Sequence, residues 1–506
     1  MFENVRRWTR GVLESLGLIE KLQKIEGHKK VNAGNGTFER IEQNKLLYQG
    51  FYKPWHHLEY LDSNGDNAER DVMSMGMAKM SAQHMAKVVL NENFKANIDE
   101  TKHKEAKELI DSVFGHPQFQ REFRRYAEYG FALGGFAPKV SYDDNYNVKI
   151  YFANADSFFA LSQDSENIDE ALLVNKFQRG DDYYSLLEWN EWINGEYTIT
   201  LELYKSTNPE ELGKITNLNS LFPNKERRTI LTKVTRPTFT YIKPGIANNK
   251  DLTSPYGISI FENAKDTMRQ IDYMFDFFFR EFIKGEPRVA VSRSMLETHY
   301  DAKGNPVQVF NAGENVYVPI LGLDQPEVND LTIDIRSDQI ITSINAMLKI
   351  FAMQTGLSAG TFTFDGVSVK TATEVVSQDS ATYQTRNDHI TVMREGIKDL
   401  CVSIVEMHNS LAYYDTGKKE IKNFNRDDVE IDFDDSLFTD NDSKAAYWMK
   451  LKDSKAITHV MYIQEINSCT KEEALEIFKE IRREELALSE EALADNAESI
   501  LLGEDE

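Results

Sequence analysis

One acidic stretch of the chain resembles a calcium-binding loop. "DSNGDN" from Asp62 begins like an EF-hand loop, which needs a glycine at its sixth position and a glutamate at its twelfth. Asn67 and Met73 stand at those two positions. "DFDDSLFTDND" from Asp432 fails the same template. We therefore predict no calcium site at either stretch.

The histidine pair and the two cysteines are the other residues that could bind a metal. His56 and His57 are adjacent, and no third ligand stands near them in the sequence. We expect a surface or core pair there. Cys401 and Cys469 lie far apart, each within a helical pattern, so neither a disulfide nor a cysteine metal site is expected. This cysteine usage is typical of a reducing compartment.

Catalytic motifs are missing from the chain. It contains no G-x-x-x-x-G-K-[ST] phosphate loop, no G-x-S-x-G nucleophile turn and no H-E-x-x-H metal helix. Its 82 acidic residues make carboxylate pairs too common for one pair to be singled out. We predict no catalytic residue, no metal and no cofactor, which favours a structural role over an enzyme.

Length and charge limit the remaining classes. A chain of 506 residues exceeds the size of a single core, so at least two domains are expected. The net charge of −24 offers no global basic surface for gripping nucleic acid. "MFENVRRWTRGVLESLGLIEKL" at the N-terminus predicts an amphipathic helix and not a signal peptide, because Glu14 interrupts its apolar run. No apolar run is long enough to span a bilayer.

The first half of the chain combines helices with sheet. We predict a helix over Asp71–Leu90, whose methionine-rich face is typical of a packed interface. Residues 134–241 are rich in strands: "NVKIYFA" alternates, and Asn194-Gly195 between two alternating runs predicts a two-residue hairpin. This order of elements predicts an α+β fold.

A long helix with a heptad seam follows, over residues 258–285. Its second half is apolar nearly all round, which indicates burial on several sides, and Gly285 and Pro287 end it. The seam residues, spaced alternately three and four apart, are Phe261, Ala264, Met268, Ile271, Phe275, Phe278 and Phe282. A second helix over 335–357 returns after short strand-like pieces, so we predict a helical hairpin with a β tip.

Beside this hairpin lies an aromatic loop, "GTFTFDGVSVK", bounded by glycines. Thr371 and Glu374 form a capping box after it, and a helix is predicted from Ala372 to about Tyr413. The first half of that helix is polar on almost every side. It indicates either a subunit-facing region or a solvent-exposed face. The loop itself indicates either a mobile segment or a core loop with buried aromatic rings.

The C-terminal part reads as a small helical unit. An acidic strand, "DVEIDFDD", precedes the helical patterns "SKAAYWMKLK" and "SKAITHVMYIQEI". Thr470 and Glu473 form a second capping box before another helix. The residues from about Ser489 onward are acidic and are expected to fray.

Several of these stretches resemble portal proteins of tailed bacteriophages, in particular those of long-tailed phages of Gram-positive hosts. The resemblance is carried by "SPYGISIFENAKDTMRQIDYMFDFFFREFIKGEPRVAV", by "LKIFAMQTGLSAGTFTFDGVSVKTATEVVSQDSATYQTRNDHI", and by "MAKMSAQHMAKVVLNE" and "ALGGFAPKVSY". It covers about residues 40–485. "SVKTATEVVS" is its more specific block, because helix patterns alone occur in many families.

The resemblance implies a ring-forming portal fold with wing, stem, clip and crown. Its parts would be a wing at 1–257, stem helices at 258–285 and 335–357 flanking a clip at 286–334, a tunnel loop with a long wing helix and strand at 358–435, crown helices at 436–490 and an acidic tail at 491–506.

The resemblance also implies which residues serve each part. The tunnel loop would contain Gly360, Phe362, Phe364, Asp365, Gly366, Val367 and Lys370. Stem packing would use Phe261, Met268, Ile271, Phe275, Phe278 and Phe282. The clip would meet its partners through Arg288, Arg293, Pro306 and Tyr317.

The implied function is a conduit for genome packaging and ejection. The resemblance implies a ring of about twelve copies at one capsid vertex, present in the host cytoplasm during assembly and then in the virion. Its partners would be the terminase large subunit, a head–tail adaptor, the major capsid and scaffolding proteins, and double-stranded DNA passing without sequence specificity; no membrane is implied. An acidic or neutral wall would let DNA slide. The alternatives are a multidomain hydrolase with a β-rich substrate domain, or another ring protein such as an adaptor.

Overall fold

The computed structural model describes most of the chain from Gly36 to Arg483. The described residues are 36–62, 65–91, 94–143, 145–163, 167–209, 211–285, 289–292, 296–301, 303–309, 317–320, 328–330, 334–363, 380–412, 418–433, 448–467, 469, 471 and 473–483. The chain divides into two compact units, Met1–Phe433 and Asp434–Glu506. Helices and sheets are mixed within the larger unit, which confirms the predicted α+β class.

The N-terminal part of the larger unit is mainly helical. Its helices are α1 (Thr37–Tyr48), α2 (Met77–Val89), α3 (Glu100–Phe114) and α4 (Pro117–Leu133). Between α1 and α2, strands β1 (His57–Leu61) and β2 (Asn67–Asp71) pair as an antiparallel ribbon. The predicted helix start at Asp71 is wrong, because Asp71 ends β2 and α2 begins only after Gly76, whose φ is 72°.

The stretch that resembles a calcium loop is the turn of this ribbon. The Asp62 carboxylate accepts the backbone N–H of Asp66 at 2.9 Å, and Gly65 has a φ of 86°. A short polar side chain that bonds the backbone ahead of it, followed by a glycine with positive φ, is ordinary turn chemistry. The acidic residues therefore close a hairpin.

Strands dominate residues 95–231. In chain order they are β3 (Lys95–Ile98), β4 (Phe136–Tyr142), β5 (Val148–Asn154), β6 (Phe158–Gln163), β7 (Ile168–Arg179), β8 (Asp182–Ile193), β9 (Glu196–Ser206), β10 (Lys214–Thr216) and β11 (Arg228–Leu231). β4 pairs with β5, and a six-stranded sheet has the order β10-β9-β8-β7-β6 with β11 also on β9. Asn194 and Gly195 join β8 to β9 with φ values of 55° and 83°, which confirms the predicted hairpin.

An aromatic core joins helix α4 to the β4–β5 pair. The ring of Phe123 lies 5.5 Å from that of Phe136 and 6.2 Å from that of Phe152. The Phe119 ring adds a contact at 5.9 Å to Phe152. Because these rings are large and pack edge-on or tilted, they fix α4 on the sheet.

Helices α5 (Lys265–Lys284) and α6 (Ser337–Gln354) form the predicted hairpin and pack against each other. The predicted start of the first helix at residue 258 is wrong. The Ile260 N–H donates to Phe131 O at 3.0 Å, which ties residues before 262 to α4 in a non-helical segment that ends in a turn. A single turn of 3₁₀ helix, Glu262–Ala264, precedes α5. Phe261 therefore lies in the core ahead of the helix and is fully buried.

The tip between α5 and α6 is built of short strands. They are β12 (Val289–Ser292), β13 (Glu297–Tyr300), β14 (Pro306–Val309), β15 (Tyr317–Ile320) and β16 (Val328–Asp330). β12 pairs in parallel with β15 and antiparallel with β16, while β13 and β14 form a separate hairpin. Asp301 closes that hairpin by accepting the backbone N–H groups of Lys303 and Asn305, each at 2.8 Å. These hydrogen bonds, led by that of Asn305, lower the pKa of Asp301.

A long helix, α7 (Ser380–Ala412), completes the larger unit, and strand β17 (Val429–Asp432) pairs with β3. The predicted strand "DVEIDFDD" is thereby confirmed. The apolar stripe predicted for the second half of α7 is also confirmed, since its members are buried: Met393, Ile397, Leu400, Ile404 and Leu411.

In the smaller unit, residues 448–453, α8 (His459–Asn467) and residues 473–483 are helical. The ring of His459 lies 5.7 Å from that of Phe478, and Ile463 and Ala474 are buried. Met449 and Met461 remain about half exposed. The predicted helical character of this unit is confirmed for these residues.

Candidate functional site

The helical hairpin of α5 and α6 carries most of the residues predicted to act in assembly. Met268 and Ile271 are buried in the core. Phe275 and Phe278 are half-buried, and Phe282 is exposed. Burial along the predicted seam therefore decreases steadily from the start of α5 toward the β tip.

Large apolar side chains are exposed on the half of the hairpin nearer the tip. On α5 they are Phe277, Phe279, Phe282 and Ile283, each between 42% and 65% exposed; Ile350 and Met353 are also exposed, but they lie at the end of α6 that is far from the tip. Contiguous apolar surface of this kind marks an interaction site on a soluble protein. We call the four exposed residues of α5 the stem patch.

A bidentate ion pair joins the two helices beside the stem patch. Arg336 donates from Nε to Glu281 Oε1 at 2.8 Å and from Nη2 to Oε2 at 3.0 Å. These hydrogen bonds lower the pKa of Glu281. The Arg336 guanidinium also lies over the ring of Phe277, 5.7 Å from its centroid. The pair fixes the start of α6 against the end of α5.

Two buried aspartates on α5 hold the β1–β2 ribbon, and the heptad interpretation missed both. Asp272 is 2% exposed and accepts from His56 Nε2 at 3.0 Å, from the Met75 N–H at 2.7 Å and from Ser74 Oγ at 3.1 Å. His56 Nδ1 accepts the Tyr52 N–H, so the proton of the neutral ring is on Nε2, which donates the hydrogen bond to Asp272. The sequence left either a surface or a core position open for the pair His56 and His57; His56 is a core residue.

Asp276 repeats this arrangement one turn further along α5. It is 5% exposed, forms an ion pair with Arg70 Nη1 at 2.9 Å and accepts the Met73 N–H at 3.4 Å. Two aspartates four residues apart lie on one helix face, away from the apolar seam. That spacing was the available clue in the sequence. We call Asp272 and Asp276 with their partners the ribbon clamp.

The first residues of the predicted tunnel loop differ in how far they are buried. Gly360 is exposed, and no atom lies near the position a side chain would take. The ring of Phe362 is 7% exposed and packs 6.0 Å from Phe351 and 5.9 Å from His84. The expectation that the Phe362 side chain faces a channel is therefore corrected: the ring fills a pocket between α2 and α6, as in the alternative of a core loop.

The polar half of α7 holds neighbouring backbone segments. Thr382 Oγ1 accepts the Ser358 N–H at 2.9 Å, and Thr385 Oγ1 donates to Gly356 O at 2.7 Å. Both bonds tie the turn after α6 to α7. Thr382 is buried, so the expectation of an open or solvent-facing surface is wrong at this position.

Two larger polar residues on α7 form hydrogen bonds with backbone groups of more distant segments. Arg386 is 1% exposed and donates from Nε to Val88 O at 3.0 Å. His389, also 1% exposed, accepts the Gly245 N–H on Nδ1 at 2.8 Å. Burial lowers the pKa of His389 to about 4. These polar groups are buried because each one satisfies a backbone group of another segment.

Other predicted positions can be located only in part. Pro306 is exposed at the start of β14, and Tyr317 begins β15. The predicted residues that fall outside the described part of the chain are Phe364, Asp365, Gly366, Val367, Lys370, Arg288 and Arg293, together with Thr371, Glu374 and Thr470 of the two capping boxes.

Metal-binding clusters and membrane-spanning helices are absent from the described part of the chain. Among the described residues, no three His, Cys, Asp or Glu side chains are grouped so as to hold a metal ion. None of the described helices has the length and apolar character needed to cross a bilayer. Both cysteines are free thiols, with Cys401 buried.

The larger unit combines a helical hairpin that has a β tip with helices and antiparallel sheets. Residues 27–486 match the family described as "Phage portal protein, SPP1 Gp6-like". The chain belongs to this family of phage portal proteins. The match confirms the resemblance noted in the sequence and favours it over the hydrolase alternative.

Solved structures show a more distant likeness. One chain, from "Virion of native gene transfer agent (GTA) particle", has 10% identity and a TM-score of 0.42, with 77% of this chain and 89% of that chain covered. Another, from "Neck of native GTA particle computed with C12 symmetry", has 10% identity and a TM-score of 0.39 over 77% and 88%. No curated protein matches the chain. The family assignment rests on the sequence match alone.

Proposed function

We propose that this portal protein assembles into a closed ring of about twelve copies at one capsid vertex. The observation that carries the proposal is the stem patch, whose large apolar side chains are exposed in a single subunit. In a ring, a neighbouring subunit would cover them. Burying apolar surface is the main driving force of such association.

The parts of the ring would have separate tasks. The β tip at residues 286–334 would meet the terminase large subunit during packaging and the head–tail adaptor afterwards. Its exposed β13–β14 hairpin supports this, because within the described part of the tip each of its strands pairs only with the other. The wing would contact the major capsid and scaffolding proteins, in the host cytoplasm first and in the virion later.

Double-stranded DNA would pass through the centre without sequence-specific contacts. The net charge of −24 supports this, since a basic wall would retain the phosphates. The loop that includes Gly360, Phe364, Asp365, Gly366, Val367 and Lys370 would line the channel. The buried ring of Phe362 and the Ser358–Thr382 hydrogen bond would secure the base of that loop in the wing.

Native mass spectrometry of the purified full-length chain tests the ring. We expect a species of about twelve chains, with a central hole in negative-stain images. As a control, the sample should be measured again after dilution in high salt, to separate a defined ring from aggregates. A chain that stays monomeric or dimeric under all conditions would overturn the proposal.

A further inference from the structure

A basic tract is exposed on the six-stranded sheet of this otherwise acidic chain. Lys225, Arg227 and Arg228 are all exposed, with the exposed Glu226 between the first two, and Arg228 begins β11, whose backbone pairs with β9. Within the described part of the chain, none of the three side chains has an acidic partner. In a chain with 82 acidic and 58 basic residues, three neighbouring cations without a partner need an explanation.

A buried ion pair lies near this tract. Lys139 of β4 is 4% exposed, and its Nζ forms an ion pair with Glu188 Oε1. Burial, with a smaller contribution from the charge of Lys225, lowers the pKa of Lys139 to about 7. The pair therefore adds no net positive charge, and the positive charge of the tract comes from its own exposed side chains. We call Lys225, Arg227 and Arg228 the basic patch; it is suited to accept further carboxylates.

The β1–β2 ribbon carries the opposite charge on one of its faces. Glu59 lies directly opposite Glu69 in the antiparallel register, and His57 opposite Asp71. Two like charges in this position repel each other. His57 contacts Glu69 at 3.2 Å and Asp71 at 2.9 Å, and the hydrogen bond to Asp71 raises the pKa of His57. His57 contacts two of the three carboxylates on this face, Glu69 and Asp71, which are both mostly exposed.

We propose that the basic patch of one subunit docks against the acidic ribbon face, formed by Glu59, Glu69 and Asp71, of a second copy of this chain. The inference rests on the ring proposed above. A ring with cyclic symmetry uses head-to-tail interfaces, in which each copy presents two different, complementary surfaces. Two exposed surfaces of opposite charge on the same chain meet that requirement.

A carboxylate-bearing protein surface fits the basic patch better than nucleic acid does. The patch contains three cations within four residues, the fourth being Glu226, while the chain as a whole carries a net charge of −24. Binding to a DNA backbone needs basic residues spread along several phosphates. A compact patch matches the compact group of carboxylates on the ribbon.

Charge reversal tests the contact in the full-length chain. The variant with Arg227→Glu and Arg228→Glu should weaken assembly, so that the protein concentration for half-maximal ring formation rises about tenfold at low salt. The control, Lys102→Glu with Lys104→Glu, makes the same charge change on exposed side chains of α3. Mass photometry across a concentration series gives the protein concentration for half-maximal ring formation of the variant and of the control. Adding Glu59→Lys and Glu69→Lys to the first variant should restore assembly.

Each outcome separates this contact from the ring itself. If the wild type forms rings and the Arg227→Glu, Arg228→Glu variant assembles as well as the Lys102→Glu, Lys104→Glu control, the proposed contact is wrong and the ring is unaffected. A wild-type chain that never forms rings would overturn both. If the reversal instead abolished only binding of added duplex DNA, the basic patch would be a nucleic-acid site and the proposed contact would be wrong.

Discussion

His389 shows how a buried polar residue supports the wing at the level of single residues. Its Nδ1 accepts the Gly245 N–H, so the neutral ring carries its proton on Nε2. Among the described residues Nε2 has no hydrogen-bond partner, and its ring packs edge-on to Phe131 at 4.9 Å. The adjoining void, lined also by Phe136 and Met393, has no room for water. A charge on this ring would therefore be unsolvated.

This environment predicts acid sensitivity of the wing. The pKa of His389 is about 4 in the folded chain and near 6.5 in the unfolded chain, so the unfolded chain binds the proton first as pH falls. The stability contributed by the neutral ring is complete above pH 6.5 and is lost progressively as pH falls toward 4. The loss amounts to about 3 kcal/mol. Urea unfolding curves measured between pH 7 and pH 4 give its size.

A matched variant separates His389 from the many carboxylates that also titrate in this range. His389→Asn keeps an acceptor near the Gly245 N–H but cannot be protonated. It should lower stability at pH 7, because the smaller side chain leaves a cavity. Its stability should then fall less steeply than wild type from pH 6.5 to 4. Parallel curves for the two proteins would contradict the assignment.

At the scale of elements, α5 has two halves with different surroundings. The first half is held by core packing and by the ribbon clamp, in which Asp272 and Asp276 receive donors from residues 56–75. The second half carries the stem patch and is joined to α6 through the Arg336–Glu281 pair. The helix therefore joins a buried core to an exposed apolar surface, which the proposed ring would use for assembly.

Phe279→Asp with Ile283→Asp tests the stem patch. Both side chains are exposed in the single subunit, so its thermal unfolding temperature should stay within about 2 °C of wild type. Ring formation should be lost, because each interface would bury unpaired charge. Size-exclusion chromatography with light scattering measures the assembly. Met80→Asp, at an equally exposed apolar residue on α2, is the control, and double-variant rings at normal yield would contradict the role of the patch.

Sequence periodicity predicted which elements exist better than where they begin or what they touch. The heptad spacing predicted α5, but not that Asp272 and Asp276 within it are buried, since their partners lie about 200 residues away. Likewise, composition placed the polar half of α7 at an open surface. Thr382 and Arg386 are buried there because they satisfy Ser358 and Val88, contacts that no local pattern encodes.

For the whole molecule, a deletion in the β tip tests whether ring formation and DNA filling depend on different parts of the chain. β13 and β14 pair with each other and lie outside the three-stranded sheet of β12, β15 and β16. Replacing residues 297–309 with a short glycine–serine linker should leave ring formation unchanged but prevent DNA filling, because the exposed edges offered to the motor are gone. Nuclease protection of packaged DNA measures filling.

The control for this deletion keeps both strands and alters only the turn that Asp301 closes. Replacing residues 301–305 with Asn-Gly preserves the pairing of β13 with β14 and should preserve DNA filling. Normal filling by the longer deletion would show that the hairpin does not engage the motor. Loss of rings in the longer deletion would show that it serves assembly instead.

The ribbon clamp gives the subunit a defined path for mechanical load. Lys284 ends α5 eight residues beyond Asp276, so about 12 Å of helix extends past the ribbon clamp. This length is supported by α6 through the Arg336–Glu281 ion pair. A force on the β tip would bend this length and then act on Asp276, which transfers it through Arg70 to the ribbon. If the ribbon rests on the next subunit, strain at one tip would spread around the ring without any change in the wing core.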